Sequence, residues 1–173
     1  YKKWQEFNAD VYSMTQKASK FAKIENAIWT PKDINNKEQT ISEIEALEPY
    51  VEMVEQGNAE QNEMWTLVRR LIHTMEFTAN PGRNIKFYVK DKVTGKILGI
   101  ICLGSDVTSL GARDNFIGWT KDNKFKDGKL KHTSIGTTIC CAQPLGFNFL
   151  GGKLVASLVT SSVVRDAWKK IYG

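Results

Sequence analysis

The sequence predicts an α+β fold in which a helical N-terminal region, residues 1–80, precedes a mainly antiparallel sheet with a glycine turn and a helix in residues 81–173. In the first region, apolar residues recur every three or four positions, as they do on one face of a helix. In the second region, two β-rich runs surround a turn at residues 91–95. The length of 173 residues suits a single domain with a substantial core.

The first region is predicted to hold three helices. Residues 2–23 contain no proline or glycine and carry apolar residues at helical spacing. Thr40 or Ser42 can cap a second helix, which continues to about Gln56 and stops at Gly57. The third helix has an apolar stripe typical of a core-facing helix, and this stripe consists of Met64, Leu67, Val68, Leu71, Ile72 and Met75.

The second region is predicted to hold three strands and a final helix. Gly95 suits the left-handed position of a hairpin turn between the first two strands. The second strand is apolar on both faces over residues 97–103, which is typical of a strand inside a sheet. A third β-rich run follows, and the final helix extends from near Phe149 to Tyr172 with Leu150 packed in the core.

The net charge of +5 is unevenly distributed along the chain. Residues 1–80 hold 9 Lys or Arg and 13 Asp or Glu, a balance of −4, whereas residues 81–173 hold 15 and 6, a balance of +9. Such asymmetry indicates a surface for a polyanion, either nucleic acid or a phosphorylated cofactor, with a solvated basic face as the alternative.

A lysine-rich segment, residues 121–132, lies in the basic half of the chain. We expect it to be flexible and to contact the backbone phosphates of nucleic acid. Phe125 is the single aromatic residue of this segment, so base stacking is not indicated and sequence preference should be weak. The expected phosphate contacts are Lys121, Lys124, Lys126, Lys129 and Lys131.

Composition argues against a membrane protein, a disulfide framework and a zinc protein. No apolar run approaches the roughly 18 residues that a membrane span requires, so we expect no membrane partner. Cys102, Cys140 and Cys141 are too few and too irregularly spaced for a disulfide framework or a zinc site, and we expect no metal site. Buried, inert thiols in a reducing compartment, the cytoplasm, are the expectation.

A glycine-rich turn leads from the last predicted strand into the final helix. The first N–H groups of a helix have no partner within it, and Gly146, Gly151 and Gly152 would let a phosphate reach them. Lys153 adds a positive charge at the same place. Tight packing of helix on strand explains Gly151 and Gly152 equally well. The turn is not a Walker motif, because Leu154 occupies the position of the hydroxyl residue.

Arg113 and Asp114 form the strongest polar pair in the basic half, beside Trp119. For a transfer reaction, Asp114 is the candidate general base and Arg113 the candidate contact to substrate or phosphate. The alternative is a structural ion pair that fixes the loop after the hairpin. His132 and Ser134, near the start of the third strand, are lesser candidates.

The hairpin, the third strand and the glycine turn resemble the central part of the GNAT acyltransferase fold, a three-layer α/β arrangement. In that family a Q/R-x-x-G-x-G/A signature grips the pyrophosphate of acyl-CoA. Residues 143–146 match its first half, and the later glycine matches only with an insertion. The resemblance implies acetyl-CoA or another acyl-CoA as cofactor, held by Gln143, Gly146, Leu150, Gly151, Gly152 and Lys153.

A more specific resemblance lies in residues 98–120, and above all in the run Ala112-Arg113-Asp114-x-x-Ile117-Gly118-Trp119. This segment resembles one shared by DruA-type proteins of the Druantia anti-phage system and related phage proteins. Residues 143–154 are similar to the phage branch and depart from the DruA branch. A more distant resemblance is to the Mom-type DNA-modifying proteins of phages. These relatives imply the cytoplasm of a bacterial host.

The predicted function is acyl or acetyl transfer from acyl-CoA to nucleic acid or a nucleotide, in phage or anti-phage biology. The alternative is a non-catalytic nucleic-acid-binding domain on a degenerate GNAT scaffold. The resemblance covers residues 84–173, and the family pattern continues beyond Gly173 with further strands. We therefore expect this chain to carry the N-terminal portion of the fold, with a further protein chain or subunit to complete it.

Overall fold

The structure, a computed structural model, describes residues 18–73, 75, 82–142 and 145–173. Its strands are β1 (Pro49–Met53), β2 (Asn84–Asp91), β3 (Ile97–Ser105) and β4 (Ser134–Cys141). Its helices are α1 (Ala18–Ala27), α2 (Lys37–Glu45), α3 (Ala59–Ile72), α4 (Gly111–Ile117), α5 (Lys121–Phe125), α6 (Leu145–Phe149), α7 (Gly151–Leu158) and α8 (Ser162–Tyr172), with a 3₁₀ turn at Lys129–His132. This arrangement confirms the predicted α+β class.

One antiparallel sheet contains the four strands in the order β1-β2-β3-β4. The predicted hairpin of β2 and β3 is confirmed, and Gly95 in its turn has a φ of +71°. Residues 97–104 of β3 are buried throughout, as the prediction of a strand inside the sheet requires. The β-rich run predicted after the lysine-rich segment is also confirmed as β4.

Helices cover both faces of the sheet. On one face, Val155 of α7 and Val164 of α8 pack in a cluster with Phe87, Val89 and Ile101. On the other, Trp65 and Val68 of α3 pack in a cluster with Tyr88, Ile100 and Cys102. The split follows from the geometry of a strand, because successive side chains point to opposite faces. Each such buried apolar side chain contributes about 1.5–3 kcal/mol to folding.

The predicted second helix is wrong at both ends. Asn36 caps α2, since its side chain accepts the backbone N–H of Gln39 at 3.0 Å, and the helix ends at Glu45 rather than near Gln56. The following residues, Pro49–Met53, pair with β2 as β1 instead. A strand at an edge tolerates proline at its first position, because that residue needs no N–H for the ladder.

The predicted final helix is also wrong, because two helices, α7 and α8, replace it after α6 ends at Phe149. Between α7 and α8, the N–H groups of Val159, Thr160 and Ser161 donate to carbonyls only three residues back, so the chain tightens and turns. Leu150 is 72 % exposed and has a φ of +56°, so it lies outside the core that it was predicted to join.

The third predicted helix is confirmed as α3, but its buried face differs from the predicted stripe. Trp65 and Val68 lie against the sheet, whereas Leu71 and Met75 are exposed. The first predicted helix, residues 2–23, is described only from Ala18 onward as α1, and its earlier residues lie outside the described part. No helix in the described ranges has the length and apolar character needed to cross a membrane.

Candidate nucleic-acid interface

The lysine-rich segment, residues 121–132, has regular structure, so the prediction of a flexible segment is wrong. Thr120 and Asn123 form a capping box at the start of α5: the hydroxyl of Thr120 accepts the N–H of Asn123 at 3.3 Å, and the N–H of Thr120 donates to Asn123 Oδ1 at 2.8 Å. Gly128, with a φ of +68°, then leads into the 3₁₀ turn. The lysines therefore have fixed backbone positions.

Four of the five predicted phosphate contacts are exposed, namely Lys121, Lys126, Lys129 and Lys131. An exposed ion pair joins Lys126 Nζ to Asp122 at 3.2 Å, and such pairs contribute little to stability. Lys124 differs, because its side chain is only 8 % exposed and its Nζ donates to Asp114 Oδ2 at 2.5 Å. The structure therefore gives Lys124 a partner inside the fold and not a position on the surface.

Asp114 is the centre of an ionic cluster. Arg113 donates to Oδ1 of Asp114 from Nε at 3.0 Å and Nη2 at 2.8 Å, and to Asp106 at 2.7 Å. The ammonium of Lys124 is the main cause that lowers the pKa of Asp114 to about 2, with Arg113 adding to it. A carboxylate with both oxygens engaged and so low a pKa is a weak base near neutrality. Of the two interpretations of this pair, the geometry favours the structural one.

Arg83 attaches the 3₁₀ turn to the rest of the fold. Its guanidinium donates to the carbonyl of Lys131, to that of Leu130 at 3.1 Å and to that of Thr133 at 3.3 Å. The same group lies 4.8 Å from the ring centroid of Trp168 in α8, a cation–π contact. The turn that carries two of the exposed lysines is thus attached to α8. Sequence analysis missed Arg83, because its partners lie 47 or more residues away.

Gly151 is required by packing. A Cβ at this position would lie 2.6 Å from Leu145 Cγ and 2.7 Å from Cys141 Sγ, closer than side chains approach each other. Gly152 has no atom within 4 Å of its Cβ position. The tight-packing explanation therefore holds for Gly151 and does not apply to Gly152.

Two backbone N–H groups of the predicted cofactor site already form hydrogen bonds within the chain. The N–H of Gly146 donates to the carbonyl of Ala142 at 2.9 Å, and that of Lys153 to Leu150 at 3.2 Å. Gly152, Lys153 and Leu150 are exposed, whereas Gln143 lies outside the described residues. The structure thus brings Gly152 and Lys153 together at the surface where α7 begins.

The three cysteines lie in the sheet. Burial raises the pKa of each thiol, to about 12 for Cys141. A thiol so far from ionisation is a poor nucleophile at neutral pH. Cys102 and Cys141 are buried, as predicted, whereas Cys140 is half-buried.

Residues 5–173 match the family model described as Druantia protein DruA. The chain belongs to the DruA family. A curated relative, Druantia protein DruA of Escherichia coli (strain UMEA 4076-1), is 31 % identical over 127 residues, which cover 73 % of this chain and 30 % of the relative. The chain therefore spans about 30 % of the length of that protein. No solved structure matches the chain significantly.

The sequence resemblance to DruA-type proteins is thus confirmed, while those to GNAT and Mom-type proteins stay predictions. The residues that suggested it, Arg113 and Asp114, belong in this DruA-family chain to the ionic cluster that holds α4 and α5 together. A motif can identify a family through a structural role as well as through chemistry.

A groove of about 390 Å³ between β4 and α8 was not expected from the sequence. His132 and Ser134, the lesser candidates, lie along it, together with Arg165 and Trp168 of α8. These residues are far apart in the chain, and the predicted continuous final helix gave no indication that residues of α8 and β4 would line one groove.

Proposed function

We propose that this DruA-family chain is a nucleic-acid-binding domain of an anti-phage protein, and that it contacts backbone phosphates through Lys121, Lys126, Lys129 and Lys131. The observation that supports the proposal most is the exposure of these four ammonium groups on a segment whose backbone is fixed. Asp122 and Asp127 are the acidic residues within that segment. Phosphate contacts of this kind give affinity with little sequence preference.

Fixed positions matter because ordering a loop on binding costs conformational entropy. The contact of Asp114 with Lys124 holds α5, and the contact of Arg83 with the carbonyls of the 3₁₀ turn holds the other end. The lysines therefore need only their side chains to be ordered on binding. Four phosphate contacts predict a salt slope, in log affinity against log salt, of about −3 to −4 on duplex DNA.

The first test is removal of the four lysines together, each changed to Ala. We expect the affinity for a short duplex, measured by fluorescence anisotropy at about 50 mM salt, to fall by about 100-fold or more. Because the side chains are exposed and, within the part of the chain that the structure describes, Lys126 alone of the four forms an ion pair, the fold should remain intact, which circular dichroism checks.

A matched control removes four exposed lysines elsewhere, Lys23, Lys32, Lys37 and Lys92, and so makes the same change in net charge. This control should bind within about threefold of the unchanged protein, since long-range charge is largely screened by salt. Equal losses in both variants would mean that net charge alone attracts the duplex, and would overturn the assigned surface.

Acyl transfer from acyl-CoA is the second candidate function. It is favoured by the order of the elements: antiparallel strands in sequence order, then the short helix α6 that contains Gly146, and then α7, which begins with Gly151 and Gly152. Under this proposal, Gly152 and Lys153 at the start of α7 hold the pyrophosphate of acetyl-CoA or another acyl-CoA, and the groups that act on the acyl donor and acceptor are not assigned.

Gly152→Glu tests this second candidate without disturbing the core, because the Cβ position has no neighbouring atom within 4 Å. If the pyrophosphate binds there, the added carboxylate should weaken acetyl-CoA binding by about tenfold or more, measured by calorimetry. Gly152→Gln is the control, since it adds the same bulk without charge. Absence of acetyl-CoA binding to the unchanged protein at millimolar concentration would remove this candidate.

A further inference from the structure

The groove between β4 and α8 has an apolar floor and a polar rim. Leu103, Ile139 and Val164 contribute apolar side chains, Arg165 contributes a positive charge, and His132 contributes an imidazole that can form hydrogen bonds. Its volume of about 390 Å³ lies within the range of roughly 300–1,000 Å³ that is usual for small-ligand sites. The combination suits a ligand that is flat and apolar in one part and anionic in another.

Trp168 forms an aromatic wall of this groove in a fixed orientation. The guanidinium of Arg83 lies 4.8 Å from its ring centroid, and the ring of Tyr172 meets it edge-on at 5.0 Å between centroids. Arg83 covers one face of the indole, so a planar group would stack on the other face, and an indole held in this way loses little freedom when it does. Stacking of bases on aromatic side chains is the usual means by which proteins hold unpaired nucleotides.

The groove also joins the basic surface of the proposed function. His132 lines the groove and ends the 3₁₀ turn that carries Lys129 and Lys131, and Arg83 attaches that turn to Trp168. β4 is the outermost strand of the sheet in the described residues, so no strand of that part closes the groove along this edge. A polynucleotide on the lysines can therefore continue into the groove, where Arg165 carries a positive charge.

We propose that this groove binds one unpaired nucleotide of a single-stranded or locally opened nucleic acid. The base stacks on Trp168 above the apolar floor, and Arg165 and His132 contact the adjoining phosphate. This inference rests on the proposed function, because the exposed lysines hold the rest of the strand. It gives the domain a preference for nucleic acid with unpaired bases, which the lysines alone do not provide.

The occupant is nucleic acid and not a protein strand because of charge complementarity. Arg165 places a positive charge in the groove lining, whereas β4, residues 134–141, carries no charged side chain that the same strand of a second copy could bring against it. A phosphodiester chain, in contrast, brings one negative charge per nucleotide.

The test compares the affinities of a single-stranded oligonucleotide and of its duplex for the unchanged chain and for Arg165→Glu. We expect Arg165→Glu to weaken single-strand binding by about tenfold and to leave duplex binding within about threefold. Lys170→Glu is the matched control, because it makes the same charge change on α8 about 140° around the helix and outside the groove lining. It should change neither affinity by more than about threefold.

Photo-cross-linking locates the base. A single-stranded oligonucleotide that carries 5-iodouracil should cross-link to Trp168, identified by mass spectrometry of the digested protein. Trp168→Phe keeps an aromatic ring in place and should retain most of the single-strand affinity, while Trp168→Leu should lose about tenfold. Circular dichroism checks that both variants fold.

The outcomes separate the two proposals. If duplex binding requires the four lysines but single strands bind no better and Arg165→Glu has no effect, the groove inference is wrong and the proposed function stands. If neither form of nucleic acid binds, both are wrong. If sedimentation shows a dimer that Ile139→Lys dissociates, the groove is an interface between copies, and the nucleotide site is overturned.

Discussion

Gly151→Ala should lower the free energy of unfolding by about 1–3 kcal/mol, the usual cost of overpacking a core. The added Cβ would lie 2.6 Å from Leu145 Cγ and 2.7 Å from Cys141 Sγ, so either α7 moves away from β4 or Leu145 changes rotamer. Both responses disturb the cluster that joins α7 to the sheet. Urea denaturation followed by circular dichroism measures the difference.

Gly152→Ala is the internal control for this prediction. It lies one residue further in the same helix, and its Cβ position has no atom within 4 Å. We expect a small gain in stability, up to about 1 kcal/mol, because alanine favours a helix more than glycine does. If both variants were equally stable, close packing would not be the reason for glycine at position 151.

Asp114→Asn should lower the melting temperature by about 5 °C or more at neutral pH. The change removes the negative charge that Lys124 and Arg113 contact, and it leaves the ammonium of Lys124 buried beside a neutral amide. Breaking a buried ion pair from one side is costly, since the remaining charge keeps its desolvation penalty. Asp122→Asn, which removes an exposed partner of Lys126 in the same segment, should change the melting temperature by no more than about 1 °C.

The loss of melting temperature caused by Asp114→Asn should also depend on pH and become smaller as the pH falls. Because its pKa is lowered to about 2 in the folded chain, its contribution to stability is present above the unfolded value of about 3.9. That contribution shrinks as the pH falls from about 3.9 toward 2 and is fully lost only below the folded-state pKa, where the carboxyl is protonated in both states. The gap in melting temperature between the unchanged chain and Asp114→Asn should therefore narrow over this range. A gap that is constant down to pH of about 2 would contradict a charge-based role.

Local sequence patterns were sufficient for the elements whose stability is local. The hairpin turn at Gly95 and the uniformly apolar β3 were predicted because period and turn chemistry act over a few residues. β1 was missed because its partner β2 begins 31 positions after β1 ends, and only that pairing makes residues 49–53 a strand. The final helix was predicted as one piece, since the turn between α7 and α8 contains no proline or glycine.

The candidate site also depends on contacts that local sequence patterns do not reveal. Charge patterning identified the lysine-rich segment but not the inward direction of Lys124, which depends on Asp114 ten residues earlier. Arg83 and Trp168 carry no local signal, because 85 positions separate them and only the folded chain brings them into contact. The groove could not be predicted for the same reason. Its lining comes from β3, β4, α8 and the turns that precede β4 and α8.

Lysine footprinting tests the central claim most directly. The chain is treated with an acetylating reagent in the absence and presence of a short duplex at low salt, and mass spectrometry reports the modification of each lysine. We expect the duplex to protect Lys121, Lys126, Lys129 and Lys131, to leave Lys32 and Lys37 unchanged, and to find Lys124 unreactive in both samples because of its buried contact with Asp114. Protection that is absent, or that is equal at Lys32 and Lys37, would contradict a nucleic-acid interface on this segment.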